Sequence, residues 1–406
     1  MSLPGTRHFL VCLLSIVVLS IIYFQFRVQH LWESKVSVPS ALIFPQGRTA
    51  NEISPRVKPS NEWPRLNKTA NQKKGPKRTT VFIVTQMRSG SSLVGEIFNE
   101  HPRCFYYFEP LHSVRYFKDH AYDNKDMQLR MLDGISRCEF GGLDKFLTYY
   151  LDTRASHFMG MRSSKMLHRL CRKYNSPKGR ACPIPRDVIA DRVGGVCRSA
   201  NVTVVKTIRV DDIRLFRAMA ESGQRTGNDV KILHLVRDPR GVTASRLALE
   251  FKDDSSFSAS KVNVSKVQNL CTWMVRNAQL KHQAKEWLQD RYALVRLEDI
   301  AMSPFRMVQK LYAFVGIPPH KAVFRWLKDN TNVTKRIKDP HSPRGNLKET
   351  ASSWRDRLTL SAVENIQEVC GDAMKLLGYK IVKDKRQLRN NSISLVRKLD
   401  APVIHI

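Results

Sequence analysis

The sequence predicts an α/β protein: a parallel sheet flanked by helices, preceded by one transmembrane helix and a flexible stem. Three observations carry this. Residues 9–26 are apolar and uncharged, residues 27–78 are basic and rich in proline, and from residue 79 β-branched apolar runs alternate with helical patterns. A 42% hydrophobic content over 406 residues is enough to bury a core and argues against a disordered chain.

The first element is the stretch Phe9 to Phe26, which has no charge over 18 residues. At about 1.5 Å per residue it spans roughly 27 Å, close to a bilayer's hydrocarbon core. It runs longer than a usual signal-peptide core and ends in Tyr23, Phe24, Gln25 and Phe26 rather than in small residues. An uncleaved signal anchor is therefore preferred to a cleaved leader. Residues 1–8 become a short cytoplasmic tail. Arg7 precedes the span and Arg27 and Lys35 follow it, so charge alone does not orient it. The large C-terminal portion suggests a type II protein with its bulk in the lumen.

Residues 27–78 hold six prolines and 11 Lys/Arg against 3 Asp/Glu, with no sustained apolar period, and read as an extended basic stem. The rest, 79–406, is the lumenal domain. Five N-x-S/T sequons fit that placement, at Asn67, Asn201, Asn263, Asn332 and Asn390. After Cys12 in the span come Cys104, Cys138, Cys171, Cys182, Cys197, Cys271 and Cys370. Cys171, Cys182 and Cys197 lie in a Gly/Pro/Arg-rich stretch that reads as a long loop needing staples. An odd lumenal count leaves a spare thiol, which points to a disulfide-linked homodimer. There is no CxxC and no His at zinc spacing, so no metal site is expected.

The formal charge is +32, from 68 Lys+Arg against 36 Asp+Glu. Such an excess implies a polyanionic partner: nucleic acid, an anionic membrane face or an acidic polysaccharide. The anchor and sequons disfavour nucleic acid and leave an anionic membrane face or an acidic polysaccharide.

Within the domain, Thr79 to Thr85 is a buried strand by composition. It runs into the polar loop Gln86-Met-Arg-Ser-Gly-Ser-Ser92, and Leu93, Val94, Ile97 and Phe98 then recur at helical spacing. A strand, tight loop and helix aim backbone N–H groups at an anion, so the sheet is P-loop-like. This is not a Walker A loop, because no GxxxxGK[ST] is present and the cation Arg88 precedes the glycine. An ordinary helix capped by serine is the competing reading. A second unit follows, with strand Lys231–Val236 leading into Arg237-Asp-Pro-Arg-Gly-Val-Thr-Ala-Ser245. Asp238 suits a cap and Pro239 a first helical turn, while Arg237, Arg240 and Ser245 could reach a phosphate. Further strands are expected at Thr203–Lys206 and Tyr292–Arg296, then a helix from Pro304 to Phe314. Ligands in such sheets bind at the carboxyl ends of the strands, where both loops fall.

These residues carry a resemblance. TQMRSGSSLVGEIFNEHPRCFYYFEPLH resembles the 5′-phosphosulfate loop of Golgi carbohydrate sulfotransferases, and LVRDPRGVTASR their 3′-phosphate segment. YALVRLEDI, WLKDNT, Ser353-Trp354-Arg355 and GYK…NNSISLV follow in the same order, so the likeness covers residues 79 to 396. The branch it resembles is the galactose/GalNAc/GlcNAc 6-O-sulfotransferases, with a lean to chondroitin 6- and keratan-sulfate enzymes. One departure is Gln86-Met87, where that family has small or Thr residues. The resemblance implies the donor 3′-phosphoadenylyl sulfate (PAPS), no metal, a Golgi membrane and a glycosaminoglycan acceptor. It implies that Met87, Arg88, Ser89, Gly90, Ser91, Ser92 and Leu93 hold the phosphosulfate. It implies that Arg237, Asp238, Pro239, Arg240, Gly241, Val242, Thr243, Ala244 and Ser245 surround the 3′-phosphate. Trp354 and Arg355 would close over the nucleotide.

Sulfuryl transfer is mostly positioning and charge stabilisation, so Arg88 and the N–H groups of Ser89–Ser92 would meet charge growing on the leaving group. The acceptor hydroxyl needs a base. Glu109, in the aromatic run Phe105 to His112, is the candidate, with its pKa raised by apolar neighbours. Its competing role is a simple pair with an arginine. His112 is the alternative base. Lys206 either touches the transferring sulfonate or is a surface lysine. The aromatics would stack on sugar rings, and acceptor-reading residues would lie in loops around 115–200 and 250–270. Two other classes remain: an NTPase, which lacks its Walker lysine, and a membrane-anchored, non-catalytic binder of acidic glycans.

Overall fold

The computed structural model describes residues 78–117, 125–151, 164–173, 182, 184–251, 256–332 and 345–397. The expected anchor and stem, and with them Cys12 and Asn67, lie outside those residues. Among the described residues no helix is long and apolar enough to cross a membrane.

Five strands form one sheet: β1 (Arg78–Thr85), β2 (Cys104–Phe108), β3 (Val202–Thr207), β4 (Asn228–Val236) and β5 (Tyr292–Arg296). Their order is β2-β3-β1-β4-β5 and every pairing is parallel, with Phe82 opposite Val205 on one side and Ile232 on the other. The helices used below are, in chain order, α1 (Ser91–Asn99), α2 (Leu111–Tyr116), α3 (Lys125–Arg137), α4 (Asp144–Leu151), α5 (Arg186–Arg198), α6 (Pro239–Glu250), α7 (Val264–Gln283), α8 (Leu297–Met302), α9 (Pro304–Val315), α10 (Leu347–Ser352), α11 (Trp354–Arg357) and α12 (Leu360–Leu376).

Strand β1 explains why the run read as continuously apolar. Phe82 and Val84 enter the core on one face, and Val81 and Ile83 enter the core on the other. A strand covered on both faces has no polar side to alternate with. Chain connection leaves β1 toward β3 and β2 on one side and toward β4 and β5 on the other. That reversal opens a crevice beyond the carboxyl ends of β1 and β4.

Three sequence expectations change here. Cys104–Phe108 is a strand, and Phe105, Tyr106 and Tyr107 are at most 1% exposed, so they fill the core and do not stack on sugars. The stretch between β2 and β3 is not mainly loop. It contributes α3, α4, α5 and the helix Lys165–Arg172, whose Met131, Leu132, Phe146, Leu147, Ile189 and Val193 close one face of the sheet. Disulfides join Cys138 to Cys197, Cys171 to Cys182 and Cys271 to Cys370, so the staples hold helices. The spare thiol is Cys104, buried on β2 with its pKa pushed well up by desolvation. It cannot reach a second chain from there, which removes the argument for a disulfide-linked homodimer.

Candidate active site

The first loop is a tight turn built on positive φ. The Ser89 N–H donates to Gln86 O at 3.3 Å, with Arg88 at φ 75° and Gly90 at φ 86°. At the third position of such a turn a left-handed residue is required, usually glycine or asparagine. An arginine there carries strain of about 1 kcal/mol or more, a mark often seen at functional sites. Gly90 is needed for two reasons: its φ, and its space, since a Cβ would come 2.5 Å from Leu297 Cδ1. Gly90 caps α1 and no side chain does, so the first helical N–H groups face the loop. The serine-capped reading is thereby overturned. Ser89 Oγ is buried with no partner.

The second loop closes on the first. Asp238 caps α6 by accepting from the Arg240 N–H, and Pro239 occupies the first turn. Arg237 donates to Arg88 O (3.0 Å) and to Thr350 O (2.6 Å), while its Nε has no partner. Burial pushes its pKa down. Gly241 lets it lie flat, because a Cβ there would meet Arg237 Nε at 2.9 Å and Trp354 Cδ1 at 3.3 Å. Ser245 Oγ accepts from Arg88 Nε at 2.9 Å. Arg246 donates to Met87 O and to Gln86 Oε1, at 3.3 and 3.4 Å. The unusual Gln86 is thus matched by a partner on α6.

Several expected residues sit elsewhere. The Arg240 guanidinium is fully buried, paired with Asp238, bonded to Gln367 Oε1 and Lys380 O, and stacked 4.3 Å from the Trp354 ring. Its donors are committed, so its side chain does not reach a phosphate. Val242 and Ala244 pack into one core and Leu93 into the other, while Thr243 is buried and Met87 is 43% exposed. Trp354 is buried, and Arg355 holds the carbonyls of Gln387, Leu388, Asn390 and Ile393. Arg355 therefore fastens the C-terminal segment, while Trp354 packs against Arg240 and Gly241 of the second loop.

The third group lies at the ends of β2 and β3. Glu109 has φ 45° and is buried, with Oε1 paired to Lys206 Nζ and Oε2 to Arg209. Burial alone would raise its pKa, but Lys206 and Arg209 outweigh that and hold the carboxyl below its ordinary value. The expectation of a raised pKa is wrong: the burial is present, but the two cations beside the carboxyl outweigh it. Lys206 is 3% exposed and no surface lysine. Desolvation and the nearby Arg209 and Arg88 lower its pKa against the pull of Glu109. His112 is half-buried beside Tyr149, its Nδ1 3.5 Å from the phenol oxygen.

Two site residues escaped the sequence reading. Arg209 follows Lys206 by three positions, but its partner lies a hundred positions earlier, so no local pattern marks it. Glu298, in the LED stretch after β5, accepts from the Asp238 N–H and from Tyr379 Oη, both at 3.0 Å. Burial pushes it up to about 7. Among the described residues, three of the five buried polar atoms without a partner belong to these three groups: Ser89 Oγ and Arg237 Nε in the loops, and Arg209 Nε beside Glu109. Orphaned buried donors are costly unless something accepts from them.

Known proteins similar to this chain include carbohydrate sulfotransferases. The chain is 28% identical over 351 residues to carbohydrate sulfotransferase 3 of Homo sapiens, covering 80% of this chain and 72% of that one. It is 29% identical over 352 residues to carbohydrate sulfotransferase 1 of Homo sapiens, covering 80% and 85%. Against carbohydrate sulfotransferase 3 of Tetronarce californica the identity is 31% over 348 residues, covering 79% and 76%. The family described as "Sulfotransferase domain" matches residues 78–378, from the first residue of β1 to the turn after α12. The chain therefore belongs to the sulfotransferase family.

Proposed function

We propose that this chain transfers a sulfuryl group from 3′-phosphoadenylyl sulfate to the 6-hydroxyl of galactose or N-acetylgalactosamine in a glycosaminoglycan of the chondroitin or keratan type. The supporting observation is the direct contact of two anion loops, through Arg88–Ser245 and Arg237–Arg88, with orphaned donors at Ser89 and Arg237. Those donors fit a ligand with a phosphate at each end. Ser89–Ser92 and the start of α1 would take the phosphosulfate, and Arg237 and Ser245 the 3′-phosphate.

The donor supplies an activated sulfur: its bond to the phosphate oxygen breaks as the bond to the sugar oxygen forms. Arg88 and the loop N–H groups stabilise the charge left on the phosphate side. Lys206, buried beside Arg88 in charge terms, adds a second cation. Glu109 takes the proton. A carboxylate of low pKa suffices, because the hydroxyl becomes strongly acidic only as sulfur bonds to its oxygen. We assign the domain to the Golgi lumen on a type II anchor at residues 9–26. The disulfides support an oxidising compartment, and Asn201, Asn263, Asn332 and Asn390 are exposed as glycan acceptors.

The test is transfer of labelled sulfate from PAPS to desulfated chondroitin and keratan, without added metal, followed by disaccharide analysis. Label at carbon 6 is expected. Arg88→Ala should lose about 10²- to 10³-fold in kcat. Glu109→Gln should lose about 10²- to 10⁴-fold while still binding adenosine 3′,5′-bisphosphate. Near-normal turnover of Glu109→Gln would remove it as the base.

A further inference from the structure

Arg209 is held in place but not used up. Its backbone N–H donates to Thr207 Oγ1 at 3.2 Å, which fixes the chain as it leaves β3. One terminal nitrogen pairs with Glu109. The Nε has no partner, and the other terminal nitrogen has none among the described residues. Nε and that nitrogen form one edge of the guanidinium, the fork that matches a carboxylate or sulfate with two parallel hydrogen bonds.

Its surroundings make the open edge informative. The side chain is only 14% exposed and its Nε is buried, so water gives that nitrogen little compensation. Arg88 is turned to Ser245, and Arg237 to Arg88 O and Thr350 O, so both loop arginines already face the donor cradles. Arg209 instead shares the carboxylate that would receive the acceptor's proton. A group on its open edge is therefore separated from the Glu109 carboxylate by one guanidinium.

We propose that Arg209 is a specificity residue that binds an anionic substituent, a carboxylate or a sulfate, on the acceptor chain next to the hydroxyl being sulfated. The inference rests on the glycan sulfotransferase reading of the Glu109–Lys206 site and goes further by giving that site a charge preference. A neutral acceptor leaves the fork unpaired, and an acidic one completes it.

The experiment measures KM and kcat for three acceptors: unsulfated chondroitin, which has carboxylates only; partly sulfated keratan, which has sulfates only; and desulfated keratan, which has neither. Wild type is compared with Arg209→Gln and Arg209→Lys, with binding of adenosine 3′,5′-bisphosphate as the control for fold and donor site. Because Arg209 also pairs with Glu109, Arg209→Gln should lower kcat for all three acceptors alike. Beyond that it should raise KM roughly tenfold or more for whichever acidic acceptor the fork reads, and KM for desulfated keratan by less than about twofold. Arg209→Lys should recover part of that loss and serves as the test if the glutamine variant does not fold. An equal rise in KM for all three acceptors, or a fall in kcat alone, would mean that Arg209 acts only by holding Glu109, and the inference would be wrong. A wild-type protein that binds the bisphosphate but labels none of the acceptors would instead overturn the glycan reading and this inference with it.

Discussion

Arg88, Ser245 and Arg237 were legible as site residues because each stands in a short local pattern of strand end, glycine and hydroxyl. Glu109 was legible as a position but not as an environment. Lys206 on β3 and Arg209 just beyond it reach the carboxylate, and only the parallel pairing of β2 with β3 brings them together. Glu298 was invisible for the same reason, since Tyr379 and the Asp238 N–H arrive from distant segments. It leads to a pH prediction. The folded pKa of about 7 lies above the ordinary 4.5, so the folded state holds the extra proton between those values. Stability from this group is full below pH 4.5 and falls as pH rises toward 7, by on the order of 3 kcal/mol. Glu96, also pushed up to about 7 by burial, adds a slope of the same sign. His234 and His101, whose pKa values burial lowers, give a slope of the opposite sign up to about pH 6.5. The prediction is therefore a difference: in denaturant titrations from about pH 5 to 8 the wild type should lose stability relative to Glu298→Gln as pH rises. An unchanged slope in that variant would show that Glu298 is not protonated in the fold.

At the scale of elements, the central strands were readable because both faces are buried, which makes their composition unmistakable. Strand β2 was not, since three aromatics before a Glu-Pro suggest a binding surface as readily as a core. Helices α3 and α5 were missed because Gly134, Gly194, Gly195 and charged residues interrupt their apolar spacing, and α4 because it has only eight residues. Helix α6 shows the difference between a binding and a building residue within one turn. Arg240, with Asp238, Gln367, Lys380 and Trp354, ties the start of α6 to α11 and α12. Arg240→Ala leaves Asp238 buried and unpaired, and should cost about 3–5 kcal/mol in thermal or denaturant unfolding. Arg237→Ala should cost bisphosphate affinity instead, read by calorimetry. If Arg240→Ala melts like wild type and Arg237→Ala binds like wild type, the two roles are assigned the wrong way round.

For the whole molecule, the sheet order sets the crevice and the disulfides secure the helices around it. Cys271–Cys370 joins α7 to α12 across a sequence separation of 99, whereas Cys171–Cys182 spans 11. On chain entropy the long link should contribute about 4–5 kcal/mol and the short one about 3. Removing both cysteines of the long link should lower the melting temperature more than removing both of the short one. The reverse order would mean that strain or residual structure, not loop length, governs these links. The charge of +32 belongs to this scale too: it predicts a polyanionic partner without saying where it binds. The most direct measurement of the central claim is a crystal structure with adenosine 3′,5′-bisphosphate. We expect its 5′-phosphate on the Ser89–Ser92 turn and its 3′-phosphate on Arg237 and Ser245, in one molecule. Density for the nucleotide at any other place, or touching one loop while the other stays empty, would contradict the account.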